Sequence, residues 1–161
     1  MTRKTDYAEY MSPEELDAEV KRHERWVPVL DFIHDCASVL DVGAGSGRLG
    51  VLLKEKRPSV KYIGLDIRPQ NVEYMRGKGL TADVALAEDL GKFADKSFDA
   101  VVLAEVLEHL KYPGKAIAEA FRVGKKVVWT LPERHTDEWH RWLLDWRHTQ
   151  NHLTMCWSEL N

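Results

Sequence analysis

Cysteine is scarce: the two residues, Cys36 and Cys156, have neither metal-pair spacing nor the look of a disulfide framework. A reducing, cytoplasmic setting is the expectation. Long apolar runs are missing as well. The longest unbroken one, Ala100 to Ala104, falls far short of a membrane span. The opening Met-Thr-Arg-Lys-Thr-Asp lacks the apolar stretch of a secretory signal. Charge of one sign is also lacking: 23 Lys and Arg stand against 26 Asp and Glu, a net −3. Such a balance offers no basic stripe for a long phosphate backbone, so nucleic acid is not the expected partner. Glycine stops early, with none of the 10 beyond Gly124.

What is present suits one compact domain. The 161 residues are 44% hydrophobic and 30% charged, enough for a core and a solvated surface together. Residues 1–37 read as a leader followed by helices, 38–132 as the core, and 133–161 as a segment rich in Trp and His. Ser12-Pro13-Glu14-Glu15 has the form of a helix start, with Ser12 and Glu15 placed for a capping box. Leu16, Val20, His23, Val27 and Leu30 form one apolar stripe at spacings of three and four, which Pro28 is expected to break or restart.

Beyond Ser38 short apolar runs alternate with helical patterns. Strands are expected at Ser38 to Val42, Lys61 to Leu65, Ala82 to Leu86, Phe98 to Ala104 and Lys126 to Leu131. Helices are expected at Arg48 to Arg57, Pro69 to Arg76 and Pro113 to Arg122. Strands apolar on both faces imply a mostly parallel sheet between helical layers. Ligands then gather at the carboxyl ends of the strands.

Leu40-Asp41-Val42-Gly43-Ala44-Gly45-Ser46-Gly47 carries the most information. A strand ends in a loop whose alternating glycines permit positive φ and let a ligand lie on bare backbone. The amides opening the next helix favour an anionic group. Gly45-Ser46-Gly47-Arg48-Leu49-Gly50 formally matches the dinucleotide fingerprint, with Asp66 at about the ~20-residue offset of a ribose-binding acid. Asp41 argues against a pyrophosphate there, because an acid beside the loop suits a cationic amino group. An acid, a glycine cradle and a ribose acid together fit a zwitterionic amino acid joined to a nucleoside.

The sequence here resembles the class I, seven-strand S-adenosylmethionine-dependent methyltransferases, from Ser38 to about Pro132. Val39 to Gly47 looks like the motif that holds the methionine end of the cofactor. Ile63-Gly64-Leu65-Asp66-Ile67 is similar to the second motif, whose acid binds the ribose. Ala87-Glu88-Asp89-Leu90 resembles the segment whose acid or amide meets the adenine amino group, with Glu88 and Asp89 competing for that role. Phe98 to Leu110 resembles the fourth-strand motif, and Val127 to Pro132 the fifth strand. The resemblance implies an α/β three-layer sandwich with strand order 3-2-1-4-5 and S-adenosyl-L-methionine as cofactor. Asp41, Gly43, Ala44, Gly45, Gly47, Asp66, Ile67, Glu88, Asp89, Leu90 and Glu105 are its candidate contacts. The chain ends where the family's closing antiparallel hairpin would follow, so strands six and seven are expected to be missing.

Methyl transfer needs alignment of the nucleophile, exclusion of water and, for some acceptors, removal of a proton. Glu105 and His109 are the candidate catalytic residues. At i, i+3 and i+4, Glu105, Glu108 and His109 would share a helical face. The small-RNA 3′-end 2′-O-methyltransferases look similar there, with a metal, and His135, His140, His148 or His152 would have to add a ligand. Metal-free small-molecule methyltransferases look equally similar, and the expectation is no metal. Trp139, Trp142, Leu143 and Trp146 make a helical stripe, read either as core packing or as a lid over the acceptor. A small-molecule acceptor is expected, carrying an O or N nucleophile. The alternatives are the metal-dependent RNA enzyme, an NAD-dependent dehydrogenase, and a cofactor-binding subunit that needs a partner chain. A homodimer is compatible with each.

Overall fold

The computed structural model describes residues 12–20, 26–131 and 154–158. The capping box forms as expected at the start of α1 (Pro13–Val20): the Glu15 N–H donates to Ser12 Oγ at 3.2 Å and the Ser12 N–H to Glu15 Oε2 at 2.8 Å. A second helix, α2 (Trp26–Phe32), holds Pro28 in its first turn, where a missing N–H leaves no helical bond unmade. The expected stripe fails at Val27, which is 63% exposed, while Trp26, Val29 and Ile33 are buried. Within α2 the buried side is carried by Trp26 and Val29, one turn apart, and not by Val27.

One sheet follows, built from β1 (Ser38–Val42), β2 (Lys61–Asp66), β3 (Ala82–Val84), β4 (Phe98–Ala104), β5 (Gly124–Thr130) and β6 (Thr154–Ser158). Helices α3 (Arg48–Lys56), α4 (Pro69–Gly77) and α5 (Pro113–Val123) are the crossovers. The first five strands pair in parallel in the order β3-β2-β1-β4-β5, as the motifs imply.

The expectation of a sheet ending at β5 needs correction. β6 lies antiparallel on β5, with Thr130 opposite Thr154 and Lys126 opposite Ser158. A bare β5 would present a row of unpaired N–H and C=O groups, and this pairing satisfies them. No further strand occurs among the described residues.

The sheet is apolar on both faces. Leu40, Val42, Leu65, Val101, Leu103, Val127 and Trp129 belong to one core with α5 and the loop after β3. Val39, Ala100, Val102 and Val128 belong to another, with α2 and α3. At the amino ends of the strands, Asp99 Oδ2 accepts from the Ala37 N–H, the Ser38 N–H and the Ser38 hydroxyl, each at 3.0 Å. Lys125 Nζ donates to Asp99 Oδ1 at 2.8 Å. Three neighbouring strands are thereby fixed in register at one end, and the loops at the other end are left to carry chemistry.

Candidate cofactor site

β1 ends in a loop whose backbone turns left-handed at Gly43 (φ 71°), Gly45 (φ 56°) and Gly47 (φ 74°). A Cβ at Gly43 would overlap Val106 Cγ2, so the glycine loop packs directly on the segment after β4. A Cβ at Gly47 would meet Met75 Cγ at 2.6 Å and Leu80 Cδ1 at 2.8 Å. The Ala44 N–H donates to the Leu65 carbonyl at 2.8 Å, tying the loop to the end of β2. α3 then begins at Arg48 with no side-chain cap, so its first amides face the loop without a side-chain acceptor.

Two buried carboxylates frame this loop. Asp66, at the end of β2, accepts from the Gly45 N–H at 2.8 Å through Oδ2 and from the Arg68 N–H at 2.9 Å through Oδ1. An ionised carboxylate has about four acceptor positions, so two remain for a ligand. Asp41, 2% exposed, accepts from the Tyr62 hydroxyl at 2.8 Å. Burial, together with the negative Asp41, pushes the Tyr62 hydroxyl well above its ordinary pKa, so it stays a donor. Tyr62 was not legible as a site residue: within a strand it reads as core.

Lys78, just past α4, links a third element to the same loop. Its Nζ donates to the Ser46 carbonyl at 3.3 Å and pairs with Asp17 Oδ1 of α1 at 3.0 Å. It also lies 4.3 Å from the centroid of the Tyr74 ring.

Beside Asp66, Ile67 is 37% exposed, and β3 and its exit add Val84 at 46% and Leu86 at 51%. Of these three, only Ile67 is a candidate contact from the sequence. Glu88 is half-buried. Asp89 is exposed, with Oδ1 accepting from the Gly91 N–H at 3.2 Å. Leu90 is a core residue whose side chain is fully buried. Its N–H donates to Glu119 Oε2 at 2.8 Å and its carbonyl accepts from Arg122 at 3.0 Å, so its backbone groups serve the loop itself.

After β4 the expected helical face does not form. Glu105 stands at φ 54°, a left-handed conformation that a residue with a Cβ rarely adopts. Its N–H donates to the Thr130 carbonyl of β5 at 3.0 Å. A short 3-10 turn then covers Leu107–His109. The break at Glu105 takes it out of helical phase with Glu108 and His109. Glu108 has a side chain only 1% exposed, while that of His109 is 44% exposed and lies 4.0 Å from Glu108 Oε1. No group of three or more His, Cys, Asp and Glu side chains fit to hold a metal occurs among the described residues. The further histidines, His135, His140, His148 and His152, and the Trp139–Trp146 stripe lie outside those residues.

The structure thus gathers Asp41, Gly43, Ala44, Gly45, Gly47, Asp66 and Ile67 around the ends of β1 and β2. Glu105 and His109 follow β4, joined to the loop through the Gly43–Val106 contact. This strand order, glycine turn and pair of carboxylates define the class I S-adenosylmethionine-dependent methyltransferase fold. The chain belongs to the MetW family: the family model described as methionine biosynthesis protein MetW matches residues 23–155.

Relatives agree with that placement. A demethylmenaquinone methyltransferase of Thermus thermophilus is 33% identical over 103 residues, which cover 58% of this chain and 47% of the relative. The chain therefore spans about half the length of this curated relative. A bifunctional methionine biosynthesis protein MetXA/MetW of Rhodopirellula baltica is 26% identical over 112 residues, 65% of this chain and 18% of that one. Among solved structures, a SAM-dependent methyltransferase from Aquifex aeolicus superposes with a TM-score of 0.64 at 20% identity. That match covers 87% of this chain and 89% of the other, and it shows the shared fold. No described helix is long and apolar enough to cross a membrane.

Proposed function

We propose that the chain binds S-adenosyl-L-methionine at the carboxyl ends of β1 to β3 and transfers its methyl group to an O or N nucleophile of a small molecule. The observation that carries this reading is the pairing of buried Asp41 and Asp66 around a loop of positive-φ glycines. A carboxylate beside bare amides matches an amino acid's ammonium and carboxylate. The two open acceptor positions of Asp66 match a pair of ribose hydroxyls, and each charge-assisted bond is worth roughly 1.5–3 kcal/mol. Glu88 or Asp89 would take the adenine amino group, with Ile67 against the base. A pyrophosphate would meet the buried negative charge of Asp41 beside the loop, which disfavours a nicotinamide dinucleotide.

When bound, the cofactor supplies an electrophilic methyl group. The chain's own residues orient the acceptor and handle its proton. Glu105 is the base of this proposal: its carboxylate takes the proton from the acceptor O–H or N–H as the new bond to carbon forms. The acceptor lies above β4 and β5, next to Glu105, because the cofactor fills the ends of β1 and β2.

A second reading has one observation of its own. The Rhodopirellula relative joins a MetW part to a MetXA part in one bifunctional protein. A cofactor-binding subunit that works with a partner chain of the MetXA kind fits that fusion. Calorimetry with S-adenosylhomocysteine and with NAD tests the site: binding of the first and not the second is expected, and the reverse overturns the proposal. Radiolabelled methyl donor, offered with cell extract in the presence and absence of the partner, then separates enzyme from subunit.

A further inference from the structure

The connection from β3 to β4 runs from residue 85 to residue 97 with neither helix nor strand, yet it carries Glu88 and Asp89. Long loops of this kind move unless something ties them down. Arg122, in the last turn of α5, does so. Its Nε donates to Glu119 Oε1 at 2.7 Å, and Nη2 donates to Glu119 Oε2 at 2.8 Å and to the Leu90 carbonyl at 3.0 Å. Nη1 donates to the Phe93 carbonyl and to Asp95 Oδ1, both at 2.9 Å. A guanidinium has five N–H groups, and here each has an acceptor.

Glu119 completes the clamp by accepting the Leu90 N–H at 2.8 Å. Its carboxyl is held below the usual range, chiefly by Arg122 and further by the Leu90 amide, against the opposing effect of burial. A Glu–Arg pair one helical turn apart is ordinarily a solvated surface pair of little consequence. This one grips the backbone of Leu90 at both its N–H and its C=O, directly beside Asp89. Lys96 fastens the far end, its Nζ donating to the Phe121 carbonyl at 2.8 Å and to the Gly124 carbonyl at 3.2 Å.

We infer that Glu119 and Arg122 are positioning residues that set the cofactor's purine specificity by holding the Glu88–Asp89 acid against the exocyclic amino group. This rests on the cofactor reading above. An acid held in place accepts from a 6-amino group and repels a 6-oxo group. An acid on a slack loop relaxes around either.

The test measures, by calorimetry, the affinities of the intact chain for S-adenosylhomocysteine and for its 6-oxo analogue S-inosylhomocysteine. A preference of about tenfold or more for the adenine form is expected, the value of one charge-assisted bond. Arg122→Lys keeps the charge but cannot reach five acceptors, and Glu119→Gln keeps the shape but weakens the pair. Each should shrink the preference to below about threefold while the affinity for the inosine form stays level. A purely structural role would lower both affinities together and leave their ratio intact, and that result overturns the inference. So does a wild-type chain with no preference. A wild-type chain that binds neither ligand sinks the cofactor reading instead, and this inference with it. Should Arg122→Lys fail to fold, Glu119→Gln still decides the matter.

Discussion

Two loops leave the carboxyl edge of the sheet side by side, and both bend through left-handed backbone. After β1 the residues in that conformation are Gly43, Gly45 and Gly47; after β4 it is Glu105. Glycine adopts positive φ at no steric cost, whereas a residue with a Cβ gives up roughly 1–2 kcal/mol there. The first loop is therefore free to bend sharply and, at Gly43 and Gly47, to pack closely on Val106, Met75 and Leu80. In the second, a side chain is kept in place against the local preference. The proposed role of the Glu105 carboxylate as base would give that retained strain a use.

The sharpest way to break this contrast is to put a side chain into the first loop. Gly43→Ala adds a Cβ that overlaps Val106 Cγ2, at φ 71°. Denaturant unfolding should show a loss of about 2–4 kcal/mol from left-handed strain and overpacking together, with S-adenosylhomocysteine binding weakened in parallel. Unchanged stability would mean the loop bends elsewhere.

The second loop should answer the opposite way. Glu105→Gln ought to lower turnover at least tenfold, about 1.4 kcal/mol of barrier, with cofactor affinity little changed. Glu105→Gly should lose the same turnover yet gain up to about 1 kcal/mol of stability, because the strain at φ 54° disappears. Full turnover in the glutamine variant would retire Glu105 as the base. A glycine variant no more stable than the wild type would remove the strain argument.

A smaller effect is expected at Tyr62→Phe, which takes from buried Asp41 a donor at 2.8 Å. Roughly 1 kcal/mol of stability should go, with a few-fold loss of cofactor affinity and no effect on turnover at saturation. An equal loss of turnover would mean that the two loops work as one unit.

The smallest effect lies at the other end of the sheet. Lys125, against some opposition from burial, and then Ser38 and the Ala37 amide hold the Asp99 carboxyl down at about 2, from an ordinary 3.8. The folded value is the lower one, so its stabilisation is fully present above about pH 4 and drains away as the pH falls toward 2. With a side chain 28% exposed, screening limits this to on the order of 1 kcal/mol. Asp99→Asn should flatten that acid-limb dependence in unfolding measurements while leaving cofactor binding and turnover at neutral pH untouched. Any change in binding would show that strand register at one end reaches the loops at the other.

Much of the architecture could be read from the chain because its signals are local. The capping box at Ser12 and Glu15, the glycine turn and the doubly apolar strands each lie within a few residues of sequence. What escaped depended on partners far away. Tyr62 reaches Asp41 only when β2 lies beside β1, and Val27 turns outward because Trp26 and Val29 take the buried side of α2. Thr154 to Ser158 resembles, by sequence, a lead-in to a helix, and it is a strand because it pairs along the edge of β5. Glu119 and Arg122 drew no notice in the sequence, because they become a clamp only when the loop from residue 85 to 97 folds over them. Glu105, Glu108 and His109 matched a helical spacing, but the β4–β5 pairing draws the Glu105 amide to Thr130 and breaks the helix before it starts.

The central place of β1 also bears on how the protein is made. Val39 pairs with Tyr62 on one side and with Ala100 on the other. As the chain emerges from the ribosome at roughly 5–20 residues per second, β1 waits on the order of 3–12 s after its own synthesis for its second neighbour. During that interval a strand destined to be buried on both faces has one open edge, and parallel pairing over such separations is slow to form. A nascent chain halted between Asp66 and Phe98 would display that edge continuously, as a ready target for a chaperone or for another unfinished copy of itself.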